Sequence, residues 1–87
     1  METVKHESDH TYNLKIYNGR VKVYVDDYVM FTFSQLDFKG YYAHHDDARL
    51  YGIDLYLLSG GGATTMEITF EEKHIWLNIL ALLDKHL

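Results

Sequence analysis

Near its C-terminal end the hydrophobic period of this chain changes from two residues to about 3.6, which obliges a strand to hand over directly to a helix. Thr64-Thr65-Met66-Glu67-Ile68-Thr69-Phe70 alternates like a pleated strand, whereas Ile75, Trp76, Ile79, Leu80, Leu82 and Leu83 fall within one broad helical stripe. The intervening Thr69-Phe70-Glu71-Glu72 has the spacing of a capping box, in which Thr69 accepts from the Glu72 amide and the Glu72 carboxylate reaches back to the Thr69 amide. This predicts a helix starting near Phe70. His74, Asn78, Asp84 and Lys85 fall largely off the apolar stripe, so the helix is expected to rest on a sheet with those four turned away.

A second local signal defines that sheet. Tyr12, Leu14 and Ile16 alternate with Asn13, Lys15 and Tyr17; Asn18-Gly19 supplies the two positive-φ residues of a type I′ turn; Val21, Val23 and Val25 then resume the alternation. A two-residue loop sets Ile16 against Val21, Leu14 against Val23 and Tyr12 against Val25 on one face. It also sets Lys15 opposite Lys22 on the other face, a mildly repulsive pair tolerable only when solvated or met by an acidic neighbour.

Beyond the hairpin, Asp26-Asp27 breaks the pattern, and Val29, Phe31 and Phe33 are expected on one side of the next strand. After a bend at Ser34-Gln35, Leu36, Phe38, Gly40 and Tyr42 share a face, with Gly40 marking a bulge or a close backbone approach. The polar loop His44-His45-Asp46-Asp47 separates this strand from one in which Tyr51, Ile53, Leu55 and Leu57 align, and Ser59-Gly60-Gly61-Gly62 ends that strand in a mobile connection. The expected fold is α+β, an antiparallel meander of about five or six strands with one C-terminal helix packed on one face. Residues 11–87 form its single domain and residues 1–10 a flexible leader. This order of hairpin-linked strands and terminal helix, over roughly residues 11–86, resembles a reduced pleckstrin-homology-like half barrel. Members of that family that bind phosphoinositides use cations clustered around the first hairpin, where this chain has only Lys15, Arg20 and Lys22.

Composition narrows the function classes. A chain of 87 residues buries only about 60–65% of its unfolded surface, so each large apolar side chain weighs heavily in the core. Cysteine is absent, which excludes disulfides, thiolate metal sites and cysteine nucleophiles and favours an intracellular, cytoplasmic setting. The N-terminal residues Met1 to His6 lack the apolar run of a signal peptide, and no stretch of about eighteen apolar residues could span a bilayer, so a soluble protein without membrane association is expected. A formal charge of −5 with scattered lysines and arginines argues against direct nucleic-acid binding, which needs clustered cations.

No catalytic signature is present, and no enzyme activity or cofactor is expected. Ser34 and Ser59 lie in no nucleophile elbow, Asp26-Asp27 reads as an exposed turn, and the glycine run lacks the lysine and following helix of a phosphate loop. His44, His45, Asp46 and Asp47 have the donor chemistry of a zinc, nickel or manganese site, though the aspartates equally suit a turn. His6 and His10 are four apart in a polar segment, and His74 and His86 are expected to be solvent-exposed on the helix. Tyr17, Tyr24 and Tyr41 fall opposite the apolar strand faces and define a candidate surface for a protein partner or a second copy of the chain, since tyrosine supplies rigid contact area with a polar tip. The expected function is a small non-enzymatic interaction domain. The alternatives are an acidic inhibitor, encoded by a virus or mobile element, of a host nucleic-acid-binding protein, and a small-ligand or metal-binding protein using the 44–47 loop.

Overall fold

The Asn18-Gly19 turn forms as its residues dictate, with φ of 53° and 77°, and joins β1 (Tyr12–Tyr17) to β2 (Arg20–Val25). The structure, a computed structural model, describes residues 10–47 and 50–87. Every pair expected in this hairpin is present, from Tyr12 opposite Val25 to Ile16 opposite Val21, and Lys15 does face Lys22. Lys15 Nζ lies 5.2 Å from the centroid of the Tyr24 ring, a cation–π contact in place of the acidic neighbour expected. Asp26 and Asp27 form a second two-residue turn with φ of 54° and 69°, a region that aspartate tolerates better than most side chains, and lead into β3 (Tyr28–Ser34). The Asp26 carboxylate accepts the Thr11 amide at 2.9 Å, and the Asp26 amide donates to the Thr11 carbonyl at 2.8 Å, so this turn also closes the open end of β1.

A single 3-10 turn, Gln35–Asp37, connects to β4 (Phe38–His45), which is followed by β5 (Tyr51–Ser59), β6 (Gly62–Phe70) and the helix α1 (Lys73–His86). The six antiparallel strands divide into two three-stranded sheets, β1-β2-β3 and β4-β5-β6, so the α+β class holds and the meander is broken once, at the 3-10 turn. Leu36 belongs to that turn and is exposed, not part of an inward strand face. Phe33 and Phe38 stack across the break with ring centroids 5.3 Å apart, which ties the two sheets together. Both sheets and the helix supply the core: Leu14, Val21, Val23, Phe31 and Phe33 from the first, Ile53, Leu55 and Phe70 from the second, Trp76, Ile79 and Leu83 from α1. Among the described residues no helix is long and apolar enough to cross a membrane.

Two bulges reverse the alternation that the sequence pattern implies. In β3, Val23 pairs with Phe31 but Tyr24 pairs with Val29, leaving Met30 as the extra residue. Phe31 and Phe33 are therefore buried while Val29 is exposed, a correction to the expectation that all three share a face. In β4, Phe38 pairs with Leu57 and Gly40 with Tyr56, so Lys39 is the extra residue. Gly40 adopts φ of 155°, a backbone state that side-chain-bearing residues seldom reach, and it marks the bulge as expected. Beyond it Tyr41, Ala43 and His45 pair with Leu55, Ile53 and Tyr51 on the inner face, and Tyr42 and His44 turn outward.

The strand-to-helix handover occurs later than the capping-box spacing predicts. Thr69 is paired with Gly52 and Phe70 with Tyr51, so both belong to the sheet ladder, and Phe70 is buried. The first helical residue is Lys73, with Glu72 as an N-cap whose side chain makes no capping hydrogen bond. The register of β6 overrides the local capping preference. Trp76 fastens the helix to the second sheet by donating its indole N–H to the Gly52 carbonyl at 2.8 Å.

Candidate functional site

The 44–47 loop does not assemble a donor set. His44 and His45 are consecutive residues of β4 and point to opposite faces. His44 stacks on Tyr42 and sets Nε2 3.1 Å from Asp54 Oδ1, whereas His45 lies edge-on to the Trp76 ring at 6.0 Å. Asp46 accepts the Leu50 amide at 3.2 Å, a local turn bond, and Asp47 is exposed. The four residues considered as a metal site, His44, His45, Asp46 and Asp47, are thus spread over two strand faces and a turn.

The tyrosine surface is likewise rearranged. Tyr17 is exposed and Tyr24 half-buried on the first sheet, but Tyr41 lies on the inner face, its ring against Phe38 and its hydroxyl 3.5 Å from Asp84 Oδ1. The bulge at Lys39 is the reason, and it exchanges Tyr41 for Tyr42 on the outer face. Burial and then the Asp84 carboxylate hold the Tyr41 phenol above its ordinary value. A raised tyrosine pKa stabilises the fold below the unfolded-chain value, and that contribution is lost as pH rises through the folded value. Tyr41→Phe is expected to flatten the fall in stability between about pH 9 and 11, read as urea midpoints across that range. Superimposable profiles for the variant and wild type would dismiss the Asp84 contact.

The outer face of the second sheet is where apolar surface accumulates. Tyr42, Tyr56 and Leu58 are 58%, 43% and 50% exposed, and a shallow groove of about 370 Å³ runs beside Tyr56 and Leu58 over Lys39, Ala63, Thr64 and Thr65. Gly40 is the cross-strand neighbour of Tyr56, so no side chain covers that flank of the ring. Asp54 and Glu67, paired across β5 and β6, frame the same face with negative charge.

A second arrangement gathers at the start of the helix from segments distant in sequence. His10, which falls within the expected leader, sets Nδ1 2.5 Å from Asp26 Oδ2 and stacks on His74 with ring centroids 6.0 Å apart. The hydrogen bond from His10 and then the Thr11 amide hold the Asp26 carboxyl below the usual carboxylate range. His74, expected in solvent, is half-buried, and its Nε2 lies 3.0 Å from Glu72 Oε1. That separation suits an ion pair, but the alignment is not that of a hydrogen bond, and the nitrogen is out of reach of water. The Tyr12 hydroxyl is the other buried side-chain atom without a hydrogen bond among the described residues. Burial first, then the Asp26 and Glu72 charges, push its phenol up. Glu72, Lys73, His74 and Leu77 border an open cleft of about 590 Å³. The spacing of His10 and His74 in the sequence gives no hint of this meeting, which depends on the helix docking over the start of β1. His6, the other half of the expected four-residue spacing, lies outside the described residues.

No protein family, curated protein or solved structure matches this chain. Its class is defined by its own architecture: an α+β domain of two three-stranded antiparallel sheets with a C-terminal helix.

Proposed function

We propose that this chain is a non-enzymatic protein-interaction domain that uses the outer face of β4 and β5 to bind a protein whose apolar contact surface is framed by lysine and arginine. The observation carrying this reading is the cluster of Tyr42, Tyr56 and Leu58, three large side chains left in water on one face of a small domain. Aromatic groups of this kind form interface centres because they remove much apolar surface from water with few rotors to immobilise. The flanking Asp54 and Glu67, and the overall charge of −5, select a basic rim on the partner and raise the association rate at low salt. The surface differs from the expected one of Tyr17, Tyr24 and Tyr41: Tyr17 and Tyr24 belong to the first sheet and Tyr41 to the inner face of the second, whose outer face carries Tyr42 and Tyr56.

Affinity capture with the purified domain, followed by direct titration of the captured protein, tests the reading. Tyr42→Ala combined with Tyr56→Ala is expected to weaken that complex by at least about 100-fold, as loss of two interface anchors does, while Tyr17→Ala leaves it unchanged. Equal binding by the double variant and wild type would refute the face. Light scattering on the isolated domain is expected to give a monomer; a dimer dissolved by the same two substitutions would replace the foreign partner with a second copy.

A further inference from the structure

We infer that His10, Glu72 and His74 form a binding site for a single divalent transition-metal ion, zinc by preference, with Asp26 as a positioning residue behind His10. One donor atom from each of the three lies within 4.8 Å of the other two. Tetrahedral zinc with bonds of about 2.0–2.2 Å holds its ligands roughly 3.3 Å apart, so the 3.0 Å between His74 Nε2 and Glu72 Oε1 is near the required spacing. The His10 donor atom, within 4.8 Å of both others, reaches the same point by a side-chain adjustment.

Three features distinguish this arrangement from a chance polar cluster. The Asp26 carboxylate engages His10 Nδ1, and in the proposed site Nε2 is the ligand atom; a carboxylate backing a ligand histidine is the usual outer-shell device of zinc sites. His74 Nε2 is buried, makes no hydrogen bond and faces Glu72 Oε1 at 3.0 Å, and an ion held between the two would satisfy both. The cleft beside Glu72 and His74 supplies an entry path and room for a water molecule as fourth ligand. Two imidazoles and a carboxylate favour zinc and its neighbours over calcium or magnesium, which prefer all-oxygen shells. Asp26 and Glu72 supply two negative charges to meet those of the ion, offsetting the unfavourable positive end of the helix dipole.

The ion would join three parts of the chain: the segment before β1, the β2-β3 turn through Asp26, and the start of α1. Binding is therefore expected to raise the melting temperature as well as occupy a site. The test uses protein made without a histidine tag, titrated with zinc chloride against a chromophoric chelator and with cobalt chloride followed by visible absorption. Wild type is expected to bind one equivalent of zinc, to give an intense tetrahedral cobalt spectrum and to melt at a higher temperature with zinc than without. His10→Ala and His74→Ala are expected to abolish all three effects, Asp26→Asn to weaken zinc binding by about 10–100-fold, and His44→Ala with His45→Ala to change nothing. Circular dichroism of each metal-free variant confirms that folding is retained. The inference is overturned if wild type binds no stoichiometric zinc, if the His10 and His74 variants bind as wild type does, or if binding disappears with His44 and His45 instead. A variant that fails to fold is replaced by X-ray absorption of the wild-type zinc complex, where a shell with fewer than two imidazoles would be equally fatal.

Discussion

Replacing Trp76 with alanine is expected to cost about 3–5 kcal/mol, a large share of the stability that a domain of this length possesses. The indole is packed between Tyr51, 5.0 Å away between ring centroids, and the edge of His45, and it sits in the core with Ile79 and Leu83. Truncation removes that buried surface, leaves a cavity under the first turns of α1, and withdraws the N–H that satisfies the Gly52 carbonyl. Natural domains of this size hold roughly 4–13 kcal/mol in total, so the variant should be largely unfolded at moderate urea concentrations. Trp76→Phe narrows the loss, because it keeps a six-membered ring in the core and gives up the N–H donor together with the rest of the indole; about 1–3 kcal/mol is expected there. Urea melts followed by far-ultraviolet circular dichroism measure both, since fluorescence is lost with the tryptophan. A cost below about 1 kcal/mol for Trp76→Ala would mean that the helix does not depend on this anchor.

The second large effect concerns Gly52, which is buried in β5 opposite His44. A methyl group on its Cα would overlap the His44 imidazole, with Nε2 only 2.8 Å from the new carbon. The imidazole must then swing away, giving up its place 3.1 Å from Asp54 and its stack on Tyr42, or the strand must shift. Gly52→Ala is expected to destabilise by about 1–3 kcal/mol in the native background. With His44→Ala already present the space is open, and the same substitution should become neutral or stabilise by up to about 1 kcal/mol, because alanine loses less backbone entropy than glycine on folding. The double-mutant cycle therefore predicts a change of sign, measured by denaturant midpoints. Additive effects of the two substitutions would show that backbone neighbours, not His44, make glycine necessary.

Much of the fold was legible because its information is local. Asn18-Gly19 with flanking alternation defined the first hairpin to the residue, and Tyr51, Ile53, Leu55 and Leu57 were recognised as one inward face. The helix stripe also located Trp76 and Ile79, which are buried. The errors arise where a non-local contact overrides a local preference. Thr69 was assigned to a cap but is held by Gly52 in the ladder; Val29 and Tyr41 were assigned to faces by unbroken alternation that bulges interrupt. Gly40 signals the second bulge, but a glycine alone does not tell which later residues of β4 change face. The candidate sites were less legible still. His44 and His45 look paired in sequence and are separated by the pleat, whereas His10 and His74 look unrelated and are stacked by tertiary packing.

The additional residues Met30 and Lys39 act on the pleat as a shift of phase acts on a wave: everything downstream within the strand is inverted, although no side chain has been altered. Whether the ladder absorbs a residue at these two points therefore decides which side chains form the surface. Removing Lys39 would restore a continuous ladder with Tyr41 and Ala43 still inward and Tyr42 and His44 still outward, whereas pairing Lys39 within an unbroken ladder would send Tyr41 and Ala43 to the solvent side and bring Tyr42 and His44 inward.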